Sequence, residues 1–277
     1  MIGSMKLRLI LSLLFLILSP TVQALELFGY AQQGGYLMGH TVPDAQITFG
    51  DAKTKADETG TFLIGIPRDQ AEKSQLSIML MGGIEEKHDI SIAQNNYKTQ
   101  AIKGVQDKHV TPRSKVDLDQ IASDTYQINA ARGVFESLPF IQTPFAHPVH
   151  GKITGVYGSR RTYNGEERNW HKGADFAAPR GTKIQAPAAG VVRLALKNSF
   201  FNGNLVIIDH GYQLMTIYAH MDSISVQVGD KVEVGDILGT LGSTGRSTGP
   251  HLHWGLYWRN MALNPMLLLQ KQATLNE

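Results

Sequence analysis

Between residues 25 and 105 the hydrophobic positions come in short runs: Tyr36-Leu37-Met38, Gln46-Ile47-Thr48-Phe49, Thr61 to Ile66, Leu76 to Met81 and His88 to Ile92. Turn signals separate them at Gly34-Gly35, Pro43-Asp44, Gly50-Asp51, Thr59-Gly60, Pro67 and Gly82-Gly83. Alternation such as Ile47/Phe49 and Ile90/Ile92 buries one face of a strand and wets the other. Runs at this spacing predict a small Ig-like β-sandwich over residues 25–105. It holds no cluster of reactive side chains, and His40 and His88 stand alone. The module reads as a spacer or docking unit.

The pattern then changes period. After Thr111-Pro112, Ser114-x-x-Asp117 forms a helix N-cap signal. Leu118, Ile121, Thr125, Ile128 and Phe135 follow at steps of three, four and seven, which predicts a packed helix ending near Leu138-Pro139 within a connector, residues 106–143. From residue 144 glycine becomes frequent and the apolar runs become Val-rich, as in Gly190-Val191-Val192, Asn204 to Ile208, Leu214 to Tyr218 and Val226-Gln227-Val228. Gly229-Asp230 and Gly235-Asp236 are tight turns six residues apart. Residues 144–277 therefore read as an antiparallel β domain of the barrel-sandwich hybrid kind, and the chain as mainly β.

The N-terminus stands outside this scheme. Lys6 and Arg8 precede an apolar run from Leu9 to Leu18, Pro20 ends it, and Val22-Gln23-Ala24 is a small-residue cleavage site. This is a secretory leader, residues 1–24. Its apolar run is too short for a comfortable membrane span. Export to the periplasm is expected, with the extracellular space as the alternative destination, and no membrane span is expected after cleavage. Of the 26 basic and 24 acidic residues, Lys6 and Arg8 are the leader's only charges, so the rest balance. Nothing asks for nucleic acid. Cysteine is absent, so any metal must be held by histidines and carboxylates.

Three stretches carry candidate chemistry. His171-Lys172-Gly173-Ala174-Asp175 puts a histidine and a carboxylate four apart, on one face of a strand or a helix. Tyr218-Ala219-His220 ends a strand. Gly249-Pro250-His251-Leu252-His253 sets two histidines on one strand face behind a turn. A catalytic zinc site takes three protein ligands and leaves a position open. His-x-x-x-Asp plus one histidine of His-x-His supplies N, O and N donors. Two histidines are left over, free to accept a proton from water or to steady an oxyanion.

At this point the residues resemble the lysostaphin-type (LytM-domain) zinc metallopeptidases. The likeness rests on His171-x-x-x-Asp175, Tyr218-x-His220 and Gly249-Pro250-His251-Leu252-His253, and extends to Gly155-Val156-Tyr157-Gly158-x-Arg160, Gly181-Thr182, Asp209-His210-Gly211 and Gly229-Asp230. It covers about residues 145–267. The resemblance implies one zinc ion held by His171, Asp175 and His253, with His220 and His251 as unligated catalytic histidines. It also implies a narrow groove over the metal and a peptidoglycan peptide cross-link as substrate. By analogy with short exported relatives, D-alanyl–diaminopimelyl bonds are the expected target. Tyr218, taken to share a strand face with His220, is expected to line the groove, and Arg160 to meet a carboxylate of the stem peptide. His210 is expected to be structural, and His147 and His150 to have no role in the site. Other classes compete: a LytM-type activator of cell-wall amidases without activity of its own, a bacteriolytic toxin with the same chemistry, and a lipoyl-like carrier. A non-enzymatic activator of this type has lost ligands, whereas all five positions are intact here. The carrier lacks a lysine at a hairpin tip.

Overall fold

The computed structural model of the protein describes residues 25–141 and 144–275; the expected leader lies outside the described residues. The first seven strands are β1 (Glu26–Gly29), β2 (Tyr36–His40), β3 (Gln46–Phe49), β4 (Ala52–Lys55), β5 (Thr61–Gly65), β6 (Lys73–Met79) and β7 (Glu85–Ser91). They form two antiparallel sheets. One has the order β1-β2-β5, with the last strand of the described residues, Ala273–Leu275, on the outer side of β1; the other has the order β4-β3-β6-β7. Alternation does what the sequence foretells. Leu37, Ile47, Phe49, Phe62, Ile64, Leu76 and Ile78 are all wholly buried. Each is worth about 1.5–3 kcal/mol out of water. The same core runs on to Trp254, Trp258, Leu263 and Leu268 without a gap. Polar ties cross here too: Tyr212 donates its hydroxyl to Asp57 Oδ2 at 2.7 Å and Arg259 donates to the Lys53 carbonyl at 2.8 Å.

After β8 (Thr99–Ile102) come a single turn, α1 (Asp107–Val110), and the long helix α2 (Lys115–Arg132). Ser114 caps α2 as expected, its Oγ accepting from the Asp117 N–H at 3.1 Å. The helix stops at Arg132, well short of Leu138, because Gly133 follows it and glycine is a poor helix former. The expected stripe is also only partly buried. Ile121 and Ile128 are half-buried, whereas Leu118, Thr125 and Phe135 are exposed. The buried positions are Asp124 and Ala131. Asp124 Oδ2 accepts the Phe200 N–H at 2.7 Å, so a carboxylate, not an apolar stripe, docks the middle of α2.

The remaining strands are β9 (Lys152–Gly155), β10 (Arg160–Tyr163), β11 (Glu166–Arg168), β12 (Gly173–Ala177), β13 (Lys183–Gln185), β14 (Gly190–Ser199), β15 (Gly203–Asp209), β16 (Leu214–Ile224), β17 (Lys231–Val232), β18 (Ile237–Leu241), β19 (His251–Trp258) and β20 (Met261–Leu263). The main sheet has the order β17-β14-β15-β16-β19-β12-β9, and β13 and β18 pair beside it. One face, with Phe176, Tyr218, Leu252 and Trp254, joins the large core. The other carries Met215, Ile217, Ala219 and Tyr257 beneath Ala131 of α2. This second face is left open at one end. A small sheet, β11-β10-β8, in which β8 runs parallel to β10, stands beside that opening.

Candidate metal centre and groove

Strand pairing assembles the centre. On β12 and β19, Asp175 lies directly opposite His253, and Ala177 opposite His251. On β16, Ala219 lies opposite His253. Residues opposite one another in an antiparallel pair share a face, so Asp175, His251 and His253 all stand on the open side. His171 precedes β12. Its N–H donates to the Ser159 carbonyl and its carbonyl accepts from the Gly158 N–H, each at 2.8 Å, which pins it to the turn ahead of β10.

Three donor atoms converge. His171 Nε2 is 3.0 Å from Asp175 Oδ1 and 3.0 Å from His253 Nδ1, and His253 Nδ1 is 2.9 Å from Asp175 Oδ1. His171 Nδ1 lies 3.0 Å from the Val156 carbonyl and must carry the ring proton to donate to it. Its Nε2 is then a lone pair, aimed at a carboxylate oxygen and a second imidazole. Burial pushes His171 down to about 4, and Asp175 adjoins it without reversing this. Asp175 is itself buried, yet the adjoining His171 and His253 rings hold its carboxyl well below the usual range. A neutral imidazole and an ionised carboxylate at this distance leave at most one proton among three acceptor atoms. A divalent cation satisfies all three, so the donor set fits a metal. Asp175 Oδ2 is occupied separately by Arg161 Nη2 at 2.5 Å. Gly155 makes that possible: a Cβ there would lie 2.4 Å from Asp175 Oδ2.

His220 and His251 stand beside this triangle and not in it. Their ring centroids are 4.7 Å apart, and His220 is 6.1 Å from His253. Each is fixed through Nδ1, His220 to the Thr244 carbonyl and His251 to the Gly249 carbonyl, both at 2.8 Å. Each therefore presents Nε2 as its free nitrogen. Burial, with the nearby His251 and His253, pushes His220 well below the ordinary histidine range and keeps it neutral. His220 has φ +64°, uncommon for a residue with a side chain. The turns that hold it meet at Gly245 (φ +68°), where a Cβ would lie 2.3 Å from the Gly203 N–H nitrogen.

That backbone conformation corrects one expectation. In a regular strand Tyr218 and His220 share a face; the left-handed residue breaks the alternation. Tyr218 points into the large core, wholly buried, and does not line the groove. Its hydroxyl lies 2.8 Å from Thr216 Oγ1, which lies 2.8 Å from His210 Nε2, while His210 Nδ1 donates to the Ala189 carbonyl at 2.7 Å. Burial pushes His210 down to about 4. It folds neutral, whereas in the unfolded chain it titrates near 6.5. Its stabilisation is therefore complete above pH 6.5 and is lost as the pH falls towards 4. At pH 5 His210 alone should cost about 2 kcal/mol relative to pH 7. Urea unfolding at both pH values checks this, and His210→Gln should lose that part of the slope.

The groove has a volume of about 640 Å³. Its walls include residues from β8 as well as the loop from Arg246 to Pro250. Arg160 is exposed and outside it. Neighbours alternate in a strand, and it is Arg161 that faces inward to Asp175. Arg161, Arg168, Trp170 and Arg246, none singled out from the sequence, all line the groove. His40, His88, His147 and His150 stand outside it; His147 and His150 stack on each other at 6.0 Å.

A sheet end that carries an N, O, N donor triangle and two further histidines can hold a metal ion beside two groups able to move a proton. The comparison with known proteins is more particular: residues 169–265 match peptidase family M23, so the chain carries a domain of that family. The peptidoglycan DD-endopeptidase ShyA of Vibrio cholerae is 45% identical over 123 residues, which are 43% of this chain and 28% of that protein. ShyC from the same organism is 39% identical over 127 residues, 46% of this chain and 26% of that protein. The chain thus spans little more than a quarter of the length of these relatives. A solved peptidase M23 structure from Pseudomonas aeruginosa is 25% identical, with a TM-score of 0.63, and covers 86% of this chain and 95% of its own.

Proposed function

We propose that the protein is a zinc-dependent endopeptidase that hydrolyses peptide cross-links of bacterial peptidoglycan, with D-alanyl–diaminopimelyl bonds as its target. The observation that carries this is the complete centre: three converging donor atoms beside two histidines held off the triangle by their own backbone hydrogen bonds. The DD-endopeptidase relatives support the substrate. A non-enzymatic activator would have no use for five such groups arranged together.

His171 Nε2, Asp175 Oδ1 and His253 Nδ1 would hold the zinc, and Arg161 keeps Asp175 turned towards it. When bound, zinc polarises the scissile carbonyl and makes water nucleophilic near neutral pH. His220 and His251 supply the proton chemistry. A free Nε2 takes the proton of the attacking water, the imidazolium so formed steadies the tetrahedral oxyanion, and the proton then passes to the departing amine. In this reading residues 1–24 act as a cleaved leader that delivers the chain to the periplasm. Residues 25–105, an Ig-like sandwich, serve as a module packed beside a catalytic domain spanning residues 144–277. No helix among the described residues is long and apolar enough to cross a membrane.

Digestion of purified sacculi tests the reading. Cross-linked dimers should give way to monomers bearing a new diaminopimelyl amine, a chelator should abolish the change, and added zinc should restore it. A muropeptide profile unchanged by the zinc-loaded protein would refute the assignment.

A further inference from the structure

The groove is charged in one direction. Lys103, Arg161, Arg168, Lys172 and Arg246 line it, against one acidic residue, Asp175, which already faces the donor triangle. Arg161 has Asp175 as its partner, and Arg168 pairs with Glu166 at the rim. Arg246 has no carboxylate partner among the described residues. Among the described residues the one hydrogen bond of its guanidinium is a long one, 3.5 Å, from Nη1 to the His109 carbonyl. Yet its guanidinium is firmly held, with its central carbon 4.9 Å from the Tyr163 ring centre and 4.4 Å from that of Phe201. Contact with two rings steadies the guanidinium, and its N–H groups other than Nη1 have no hydrogen-bond partner among the described residues. Burial and the neighbouring Arg161 and Arg168 charges work against the cation, so the fold carries an uncompensated charge here. Next along the chain, Ser247 Oγ lies 3.2 Å from His251 Nδ1, which puts this cation at the edge of the reaction centre. Arg161 and Arg168 each also have a buried Nε with no partner, which adds to the unused donor capacity.

We propose that Arg246, held between Tyr163 and Phe201 and backed by Arg161 and Arg168, is a carboxylate-binding subsite that selects peptides carrying a free carboxylate beside the scissile amide. The inference rests on the endopeptidase reading for its substrate and adds the feature by which the substrate is chosen. A D-alanyl–diaminopimelyl bond has such a carboxylate, on the carbon that bears the acylated nitrogen. A glycyl bridge has none. A planar guanidinium with N–H groups to spare is matched to a carboxylate in shape as well as charge.

Two cross-linked peptides, identical except that one has this carboxylate and the other a carboxamide, test the subsite on the full zinc-loaded chain. The wild-type protein should cleave the carboxylate peptide with a kcat/KM about 10- to 100-fold higher, the range expected of charge-assisted hydrogen bonds in a partly wet site. In Arg246→Gln that ratio should fall towards one through the KM of the carboxylate peptide, and Arg246→Lys should recover part of it. A ratio near one in the wild type, or one that persists in Arg246→Gln, would overturn the proposal. Calorimetry with an N-methylated, uncleavable version of each peptide reads the same selectivity without turnover. It should show carboxylate-selective binding that Arg246→Gln abolishes, and binding indifferent to the variant would overturn the subsite. A chain that binds selectively yet hydrolyses neither peptide would refute the endopeptidase reading and leave the subsite standing.

Discussion

His171→Ala should leave the chain without stoichiometric zinc and without measurable hydrolysis of cross-linked peptide. His171 Nε2 is one corner of a triangle whose edges are 2.9–3.0 Å, and no fourth histidine or carboxylate among the described residues belongs to it. Losing even an outer partner of a metal ligand costs about 10- to 100-fold in affinity; losing a ligand should cost more. The backbone around position 171 should survive, because its two hydrogen bonds to the Gly158–Ser159 turn involve main-chain atoms alone. Asp175 keeps Arg161 as a partner, so no bare carboxylate is left buried. Atomic absorption after gel filtration reads the metal, circular dichroism checks the fold, and peptide release from sacculi reads the activity. One zinc per chain in His171→Ala would sink the ligand assignment.

Much of the centre was legible in the sequence because Asp175, His251 and His253 sit on regular strands. His-x-His reports its face correctly once β12 and β19 pair in register, Asp175 against His253, while His171 precedes β12 and is brought in by the Gly158–Ser159 turn. Errors arose where regularity fails or where distance along the chain is large. Tyr218 was put in the groove by an alternation that the positive φ of His220 interrupts. Arg160 is the expected groove residue and Arg161 the inward one, because two adjacent arginines in a strand look alike until a partner fixes the inward face, and that partner, Asp175, lies 14 residues beyond Arg161. The end of α2 was placed beyond Gly133 by an apolar stripe that runs on past it. The wall supplied by β8 depends on parallel pairing between Thr99 and Arg160, and the closing of the first sheet on Leu27 pairing with Leu275; no local pattern announces either. Arg246 sits in a turn of Gly, Ser and Thr that reads only as a connection. Its place between two rings exists only in three dimensions.

His220→Ala should have the opposite signature: one zinc per chain retained, and kcat reduced about 10²- to 10⁴-fold, the usual contribution of a positioned acid–base group. The geometry separates the two cases. His220 has its Nδ1 on the Thr244 carbonyl, so its proton is committed there and its Nε2 faces the groove without belonging to the donor triangle. Removing it leaves His171, Asp175 and His253 as they are, and leaves His251 with its own anchor at Gly249. Substrate binding should change little, because the loss falls on proton transfer and not on the walls of the groove. A complication lies in the backbone, since φ +64° is unfavourable for alanine and some stability will be lost for reasons unrelated to chemistry. His220→Asn answers it. Asparagine tolerates the left-handed region, so this variant should fold and bind zinc like the parent while remaining as slow as His220→Ala. Both variants are compared by metal content, thermal unfolding and steady-state kinetics on one cross-linked peptide. If the asparagine variant turns over at close to the parental rate, His220 is a structural residue and the proton chemistry must be assigned to His251 alone; if either variant loses zinc, His220 belongs among the ligands.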